Sequence, residues 1–161
     1  MFIKGIKQII RLGNINDIEQ TNVIRKQVND LHVLGEPTVF KGFSKELEEH
    51  IKNFIDDKTK SFLVYEEDGK ILAYAMIEFV TKPETSYRYE QKYLEVQELG
   101  TLEGFKGKGY GKQIMQKVEE IAKENNFNQV QLNMWSFNDT VLKFYEKIGF
   151  ENYRKYLRKN I

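Results

Sequence analysis

The sequence predicts an α/β fold, a single domain over residues 1–161 built on a mixed, mostly antiparallel sheet of six to seven strands, splayed at the centre, with helices on both faces. Strand-period and helix-period stretches alternate along the whole chain, with a pair of amphipathic helices ahead of a hairpin. Over residues 93–101 the apolar alternation slips by one position, which is what a strand-bending β-bulge produces. Directly after it, residues 105–112 pack glycines and lysines between a strand pattern and a helix pattern.

In chain order, residues 2–12 favour a strand, and Gly13 and Asn14 mark the turn that ends it. Ile18, Ile24, Val28 and Leu31 then recur at helical spacing until Gly35, Glu36 and Pro37 close the segment. Ser44 is a good N-cap for a second helix that sets Leu47, Ile51, Phe54 and Ile55 on one face. From Ser61 the period is that of strands, and residues 62–65 and 71–80 form a hairpin about the turn at Asp68 and Gly69. Residues 81–91 hold Pro83, Tyr87 and Tyr89 among polar neighbours and read as a loop or hairpin tip, placed to line an acceptor site.

Within residues 93–101, Leu94 and Val96 share a face while Leu99 is one position out of phase; Gly100 beside it fits a bulge or a close backbone approach. A helix runs from about Tyr110 to Glu124, with Ile114, Met115, Val118, Ile121 and Ala122 as its apolar stripe. Val130, Leu132 and Met134 then alternate with Gln131, Asn133 and Trp135 as a strand. Asn138 or Asp139 caps a short helix carrying Val141, Leu142, Phe144, Tyr145 and Ile148, and Gly149 stops it. Residues 150–161 are expected to add a final strand or two, kept soluble at the edge by Arg154, Lys155, Arg158 and Lys159.

Composition narrows the function. With 25 Lys+Arg against 24 Asp+Glu the chain lacks the strong basic excess of a general nucleic-acid binder. The absence of cysteine removes disulfides, thiolate metal sites and any acyl-cysteine intermediate. No metal site is expected. No window approaches the roughly 18 apolar residues of a membrane span, so the expectation is a cytoplasmic protein with no membrane partner.

Lys106, Gly107, Lys108, Gly109, Tyr110, Gly111 and Lys112 read as an anion cradle, because glycines let the backbone approach a ligand and a helix start aims free N–H groups at negative charge. The bland alternative is a helix-start turn with solvated lysines. A nucleoside-triphosphate loop fails on Lys106 and Gln113, which stand where it needs glycine and a hydroxyl residue. A dinucleotide fingerprint fails because Lys112 or Ile114 stands where its third glycine belongs.

Lys106, Gly109 and Gly111 do resemble the Arg/Gln-x-x-Gly-x-Gly/Ala turn of the GNAT acetyltransferase superfamily, with Lys106 departing from the usual arginine or glutamine. Asn138 and the run FYEKIGF over residues 144–150 are similar to that family's second signature, and the upstream order of elements is also the family's. The resemblance implies acetyl-CoA as cofactor, its pyrophosphate on the backbone amides of residues 107–112. It further implies that the main chain of Leu99 and Thr101 pairs with pantetheine and polarises the thioester carbonyl, worth on the order of 3 kcal/mol when preorganised. Tyr145 takes the place of the general acid, with a core aromatic as its plainer reading, and Asn138 that of a cofactor contact as well as a helix cap.

An amine must lose a proton to attack, so a carboxylate helper is expected: Glu98 first, as the polar residue in the apolar phase beside the bulge, then Glu95. His32 and His50 read as structural or surface residues, with His32 also able to face the acceptor cleft. The resulting expectation is direct acetyl transfer to the primary amine of a small molecule, by a chain whose assembly is a monomer or a homodimer. Acetylation of proteins or peptides, and a non-catalytic CoA-binding module, are the rival readings.

Overall fold

The computed structural model describes residues 7–161; the expectation of a strand over residues 2–6 lies outside them. The chain runs β1 (Gln8–Leu12), a 3-10 turn (Ile15–Asp17), α1 (Ile18–Gly35), α2 (Lys45–His50), α3 (Asn53–Asp56), β2 (Lys60–Glu67), β3 (Lys70–Lys82), β4 (Gln91–Thr101), α4 (Tyr110–Glu124), β5 (Val130–Leu132) and α5 (Asp139–Lys147). Among the described residues the sheet has five strands in the order β1-β2-β3-β4-β5, antiparallel except for the parallel pair β4 and β5. The six to seven strands expected are therefore too many. Residues 150–161 form no strand, because beyond the amide of Phe150 none of their backbone groups finds a backbone partner.

Helices cover both faces, as the pattern of period changes requires. On one face Leu94 and Val96 of β4 and Ala75 and Ile77 of β3 pack against Ile114, Met115, Val118 and Ala122 of α4. On the other, Phe62, Val64, Tyr74 and Met76 pack against Ile24 of α1 and against Ile51 and Phe54. The second predicted helix divides into α2 and α3 around Ile51, which is fully buried, so burial of Ile51 and Phe54 sets the chain's path where propensity alone favoured one longer helix. Leu31 is exposed, and α1 buries Thr21, Asn22, Ile24 and Arg25 instead.

The bulge is present. The register of β4 on β3 slips between Met76 and Ile77, which face Glu98 and Val96, so Gln97 is the extra residue. That places the bulge a little before Gly100, whose own role is the close approach: a Cβ there stands 2.7 Å from Tyr74 Cε1 and 2.8 Å from Val28 Cγ2. Gly100→Ala is expected to lower stability by about 1–3 kcal/mol through overpacking, read from the midpoint of urea denaturation with an unchanged slope.

Candidate active site

β4 and β5 pair over only three positions, from Leu94 opposite Val130 to Val96 opposite Leu132. Beyond Val96, β4 continues through Thr101 on β3 alone. The sheet therefore opens between neighbouring parallel strands, and the main-chain groups of residues 97–101 on that side have no strand partner among the described residues. Leu99 pairs with Ala75 and Thr101 with Ala73, which holds both residues in place along the opening.

One end of the opening is a helix start. Gly109 takes φ +87° as the residue before α4 and provides no side-chain cap, while Gly107 at φ +77° turns the chain just before it. The amides of Tyr110, Gly111 and Lys112 precede the first possible intrahelical bond and have no acceptor among the described residues. A Cβ at Gly107 or Gly109 meets nothing within 4 Å, so open space lies in front of these donors. Free amides, a helix dipole and three lysines suit a polyphosphate, and the turn thus fits the pyrophosphate of CoA. Lys106 reaches back to Glu103 at 3.0 Å and Lys108 lies over the Phe105 ring, leaving the backbone as the structured part of the cradle. Gly111 sits beside Thr101 and Phe144, so the end of β4 and the start of α4 meet the middle of α5 there.

The other end is built by α5. Asn138 is its N-cap, accepting from the amide of Val141 at 3.2 Å, and the carboxylate of Asp139 makes no cap bond. Tyr145, 8% exposed, packs edge-on to Phe144 and Phe150. Its hydroxyl makes no hydrogen bond among the described residues, and burial pushes the phenol up to about 12, so it stays protonated at neutral pH. Tyr145 also lines a cleft of about 830 Å³ together with Glu95, Glu78, Tyr93 and Glu146. Of the loop expected to line an acceptor site, Lys82, Arg88 and Gln91 reach this cleft, while Tyr87 and Tyr89 do not and stand in solvent.

The two candidate bases differ in surroundings. Glu98 Oε2 accepts from Arg25 Nε at 2.9 Å and from the Tyr74 hydroxyl at 2.9 Å, and its Oε1 accepts from Arg25 Nη2 at 3.1 Å. Arg25, 2% exposed, also donates to the Leu47 carbonyl of α2 and to Asn22 Oδ1. Burial, and then the negative charge of Glu98, raise the Tyr74 phenol well above its ordinary value, so it too remains a proton donor; Tyr145 lies near enough to add to that rise. Glu95 makes no side-chain hydrogen bond or ion pair among the described residues and faces the cleft that Tyr145 lines.

This network belongs to no sequence motif. Its signal is an arginine directly after Ile24, on the side of α1 that the sheet covers, set against a glutamate in the apolar phase of β4. An aromatic cluster is missed as well: His32 packs 5.0 Å from Phe40 and 6.0 Å from Phe137, and Trp135 packs 4.9 Å from Phe40. It joins the end of α1 to the loop before α5 and gives His32 a structural place.

The sequence profile of the Acetyltransferase (GNAT) family matches residues 28–150, which include the bulged strand, the glycine turn, β5 and α5. The chain belongs to the GNAT acetyltransferase family. Acetyl-CoA is the acetyl donor that family membership brings. One relative is the uncharacterized N-acetyltransferase YycN of Bacillus subtilis, 29% identical over 63 residues, or 39% of this chain and 40% of that protein. In fold the acetyltransferase is similar to a mutant of the BH1408 protein of Bacillus halodurans, with a TM-score of 0.90 at 23% identity over 95% of this chain and 99% of that one. It is also similar to the aminoglycoside N-acetyltransferase AAC(6')-Iy in complex with CoA, with a TM-score of 0.78 at 15% identity over 100% of this chain and 99% of that one. Among the described residues no helix is long and apolar enough to cross a membrane, and no cluster of His, Asp or Glu could hold a metal.

The Arg25–Glu98 pair generates a prediction. Glu98→Gln leaves a buried guanidinium without its counter-ion and is expected to cost about 3 kcal/mol, while adding Arg25→Met to it recovers at least half of that loss. Chemical denaturation of the wild type, both single variants and the double variant measures the coupling.

Proposed function

We propose that the acetyltransferase moves the acetyl group of acetyl-CoA directly to a primary amine of a small-molecule acceptor. The observation that carries this reading is the convergence of Tyr145 and Glu95 on one cleft, over the short stretch where β4 and β5 pair just before they part. Bound acetyl-CoA supplies an activated thioester whose carbonyl accepts the amine. The amides of residues 107–112, with Lys106, Lys108 and Lys112 around them, hold the phosphates at the start of α4. Main-chain groups of Leu99 and Thr101 line the opening and orient the reactive end, and Asn138 keeps α5 seated beside it.

Tyr145 acts as the general acid. Its phenol is neutral at working pH and its hydroxyl is uncommitted within the protein, so it is free to give a proton to the departing sulfur. Glu95 is the better-placed base, directly or through water, because its oxygens are unoccupied. Glu98, the first expectation, is held by three donors from Arg25 and Tyr74 and acts as a positioning residue that fastens the bulge to α1 and α2. The absence of cysteine supports transfer without a thiol-bound intermediate.

The small-molecule reading rests on the volume of the cleft, which lies in the range of roughly 300–1,000 Å³ typical of such sites, and on Glu78, Glu95 and Glu146 facing a cationic amine. The likeness in fold to an aminoglycoside acetyltransferase supports it further. A panel of polyamines, aminoglycosides, amino acids and peptides, followed by release of free thiol, tests this. Turnover of peptides alone overturns the small-molecule acceptor, and tight CoA binding without any turnover overturns catalysis.

At Gly109 there is open space, so Gly109→Trp is expected to keep the fold at a strain of about 1–2 kcal/mol while weakening CoA binding at least tenfold by calorimetry. Tyr145→Phe and Glu95→Gln are each expected to lower kcat by about 10²–10⁴ with little change in CoA affinity. With its pKa raised to about 12, Tyr145 is expected to impose no alkaline loss of rate below about pH 10. The same shift favours the folded state fully below the phenol's ordinary value of 10.0, and that contribution disappears as pH rises through about 12. Rate and stability profiles in pH separate these effects.

A further inference from the structure

One wall of the cleft changes its chemistry along its length, and the strand register fixes the order. On the cleft side of the ladder that β3 makes with β4, Glu78 stands opposite Glu95, Val80 opposite Tyr93 and Lys82 opposite Gln91, and all six residues line the cleft. Successive rungs on one face are two residues apart, so the first and third lie about 13 Å from each other. Arg88 adds to the third from the hairpin tip, where it is bridged to Thr85. The wall therefore runs from an acidic rung, through an apolar one, to a basic end.

Neither end is neutralised from within the protein. Two carboxylates directly opposite each other on an antiparallel pair have Cβ atoms about 4.5–5.5 Å apart and repel. Among the described residues Glu78 accepts one hydrogen bond, from the neutral side-chain amide of Gln97, Glu95 accepts none, and neither makes an ion pair. Lys82 and Arg88 make no ion pair either; their cations lie 5.6 Å and 5.5 Å from the ring centres of Tyr93 and Tyr87. The two glutamates are half-buried while Lys82 and Arg88 are exposed, so the acidic rung is the inner end and the basic one the mouth. Tyr145, 8% exposed and with its hydroxyl unbonded, borders the same cleft and is a further polar group left for a bound molecule. The opposite flank carries Glu146, Glu151 and Arg154, charges of both signs, so the gradient belongs to the strands.

We propose that the acceptor is an ω-amino acid, with its primary amine at Glu78 and Glu95, an apolar spacer along Val80 and Tyr93, and its carboxylate at Lys82 and Arg88. The inference rests on the acceptor reading of this cleft and adds the class of molecule that the cleft takes. An ammonium group between the facing carboxylates removes their repulsion, and a carboxylate at the mouth gives the two free cations a partner. A neutral tail leaves those cations unpaired and a second ammonium is repelled by them, so the mouth discriminates by charge. A spacer of roughly five to seven methylenes fits between the ends once the long charged side chains reach toward it. In the transfer itself the ammonium loses one proton to water through Glu95, and the nitrogen bonds to the acetyl carbon as the carbon–sulfur bond breaks. The second proton of the nitrogen replaces the one that Tyr145 gives to the sulfur, so the products are the N-acetyl amino acid, the free thiol and one released proton.

Calorimetry on the CoA-saturated protein, together with release of free thiol from acetyl-CoA, tests this. The probes are ω-aminohexanoate and ω-aminooctanoate, hexylamine and octylamine, and the hexane and octane diamines. The amino acids are expected to bind, and to turn over in kcat/KM, at least tenfold better than the alkylamine or diamine of equal length, about the factor that one charged hydrogen bond supplies. The double variant Lys82→Gln, Arg88→Gln is expected to erase that preference through KM; both positions are exposed, circular dichroism checks the fold, and the wild-type ranking decides alone if the variant does not fold. An alkylamine or diamine that does as well as the amino acid overturns the inference and leaves small-molecule acetylation standing. A preference that survives in the double variant overturns it too, as does failure of all the probes to bind. Preferential binding of the amino acids without any turnover upholds the ligand class and overturns the acetyl-transfer reading instead.

Discussion

Two parallel strands at one edge of the sheet, which stop sharing hydrogen bonds after three positions, impose the constraint on which the rest of this structure depends. Past Val96 and Leu132 the polar main chain of β4 faces an opening, and a strand normally closes such a gap. Here the opening persists because both sides are fastened elsewhere. The bulge at Gln97 turns β4 away while its other edge stays on β3 as far as Thr101. α5 is packed by Phe144, Tyr145 and Phe150 and cannot slide in to close the gap. Unpaired donors and acceptors are thereby held ready for a bound molecule, and the binding of that molecule offsets the cost of leaving them free.

The charged groups around the opening fall into two kinds. Arg25 and Glu98 are committed, each to the other and to neighbours on α1, α2 and β3, so they transmit position. A buried ion pair contributes little net stability compared with apolar packing, but it specifies which parts must meet, and here those parts are the bulge and helices α1 and α2. Tyr145 and Glu95 are uncommitted, and they share a cleft. In the proposed reaction, separation of rigid positioning groups from free reacting groups is what lets a weak acid such as a phenol work: geometry supplies what its high pKa withholds.

Much of the domain was legible in local pattern. The hairpin, the helix after the glycine turn, the cap at Asn138 and the one-residue slip in β4 all depend on periodicity or turn chemistry within a dozen residues. The candidate cofactor loop was legible for the same reason, since glycine is the residue that permits the positive φ found at Gly107 and Gly109. The number of strands was not, because residues 150–161 have the composition of an edge strand, but composition does not supply the neighbouring backbone that a strand must pair with. Division of the second helix was hidden too, being decided by where Ile51 and Phe54 are buried.

By itself, then, the sequence determined what contiguous residues can decide: the order of elements, the glycine turn before α4 and the aromatic run on α5, because these rest on backbone conformation and short-range spacing. Only the tertiary structure decided which carboxylate is free. Glu95 and Glu98 are near neighbours on one strand and equivalent in chemistry, but the slip at Gln97 and the reach of Arg25 across 73 residues commit one and leave the other in the cleft. That difference is made by long-range packing, which no local pattern carries.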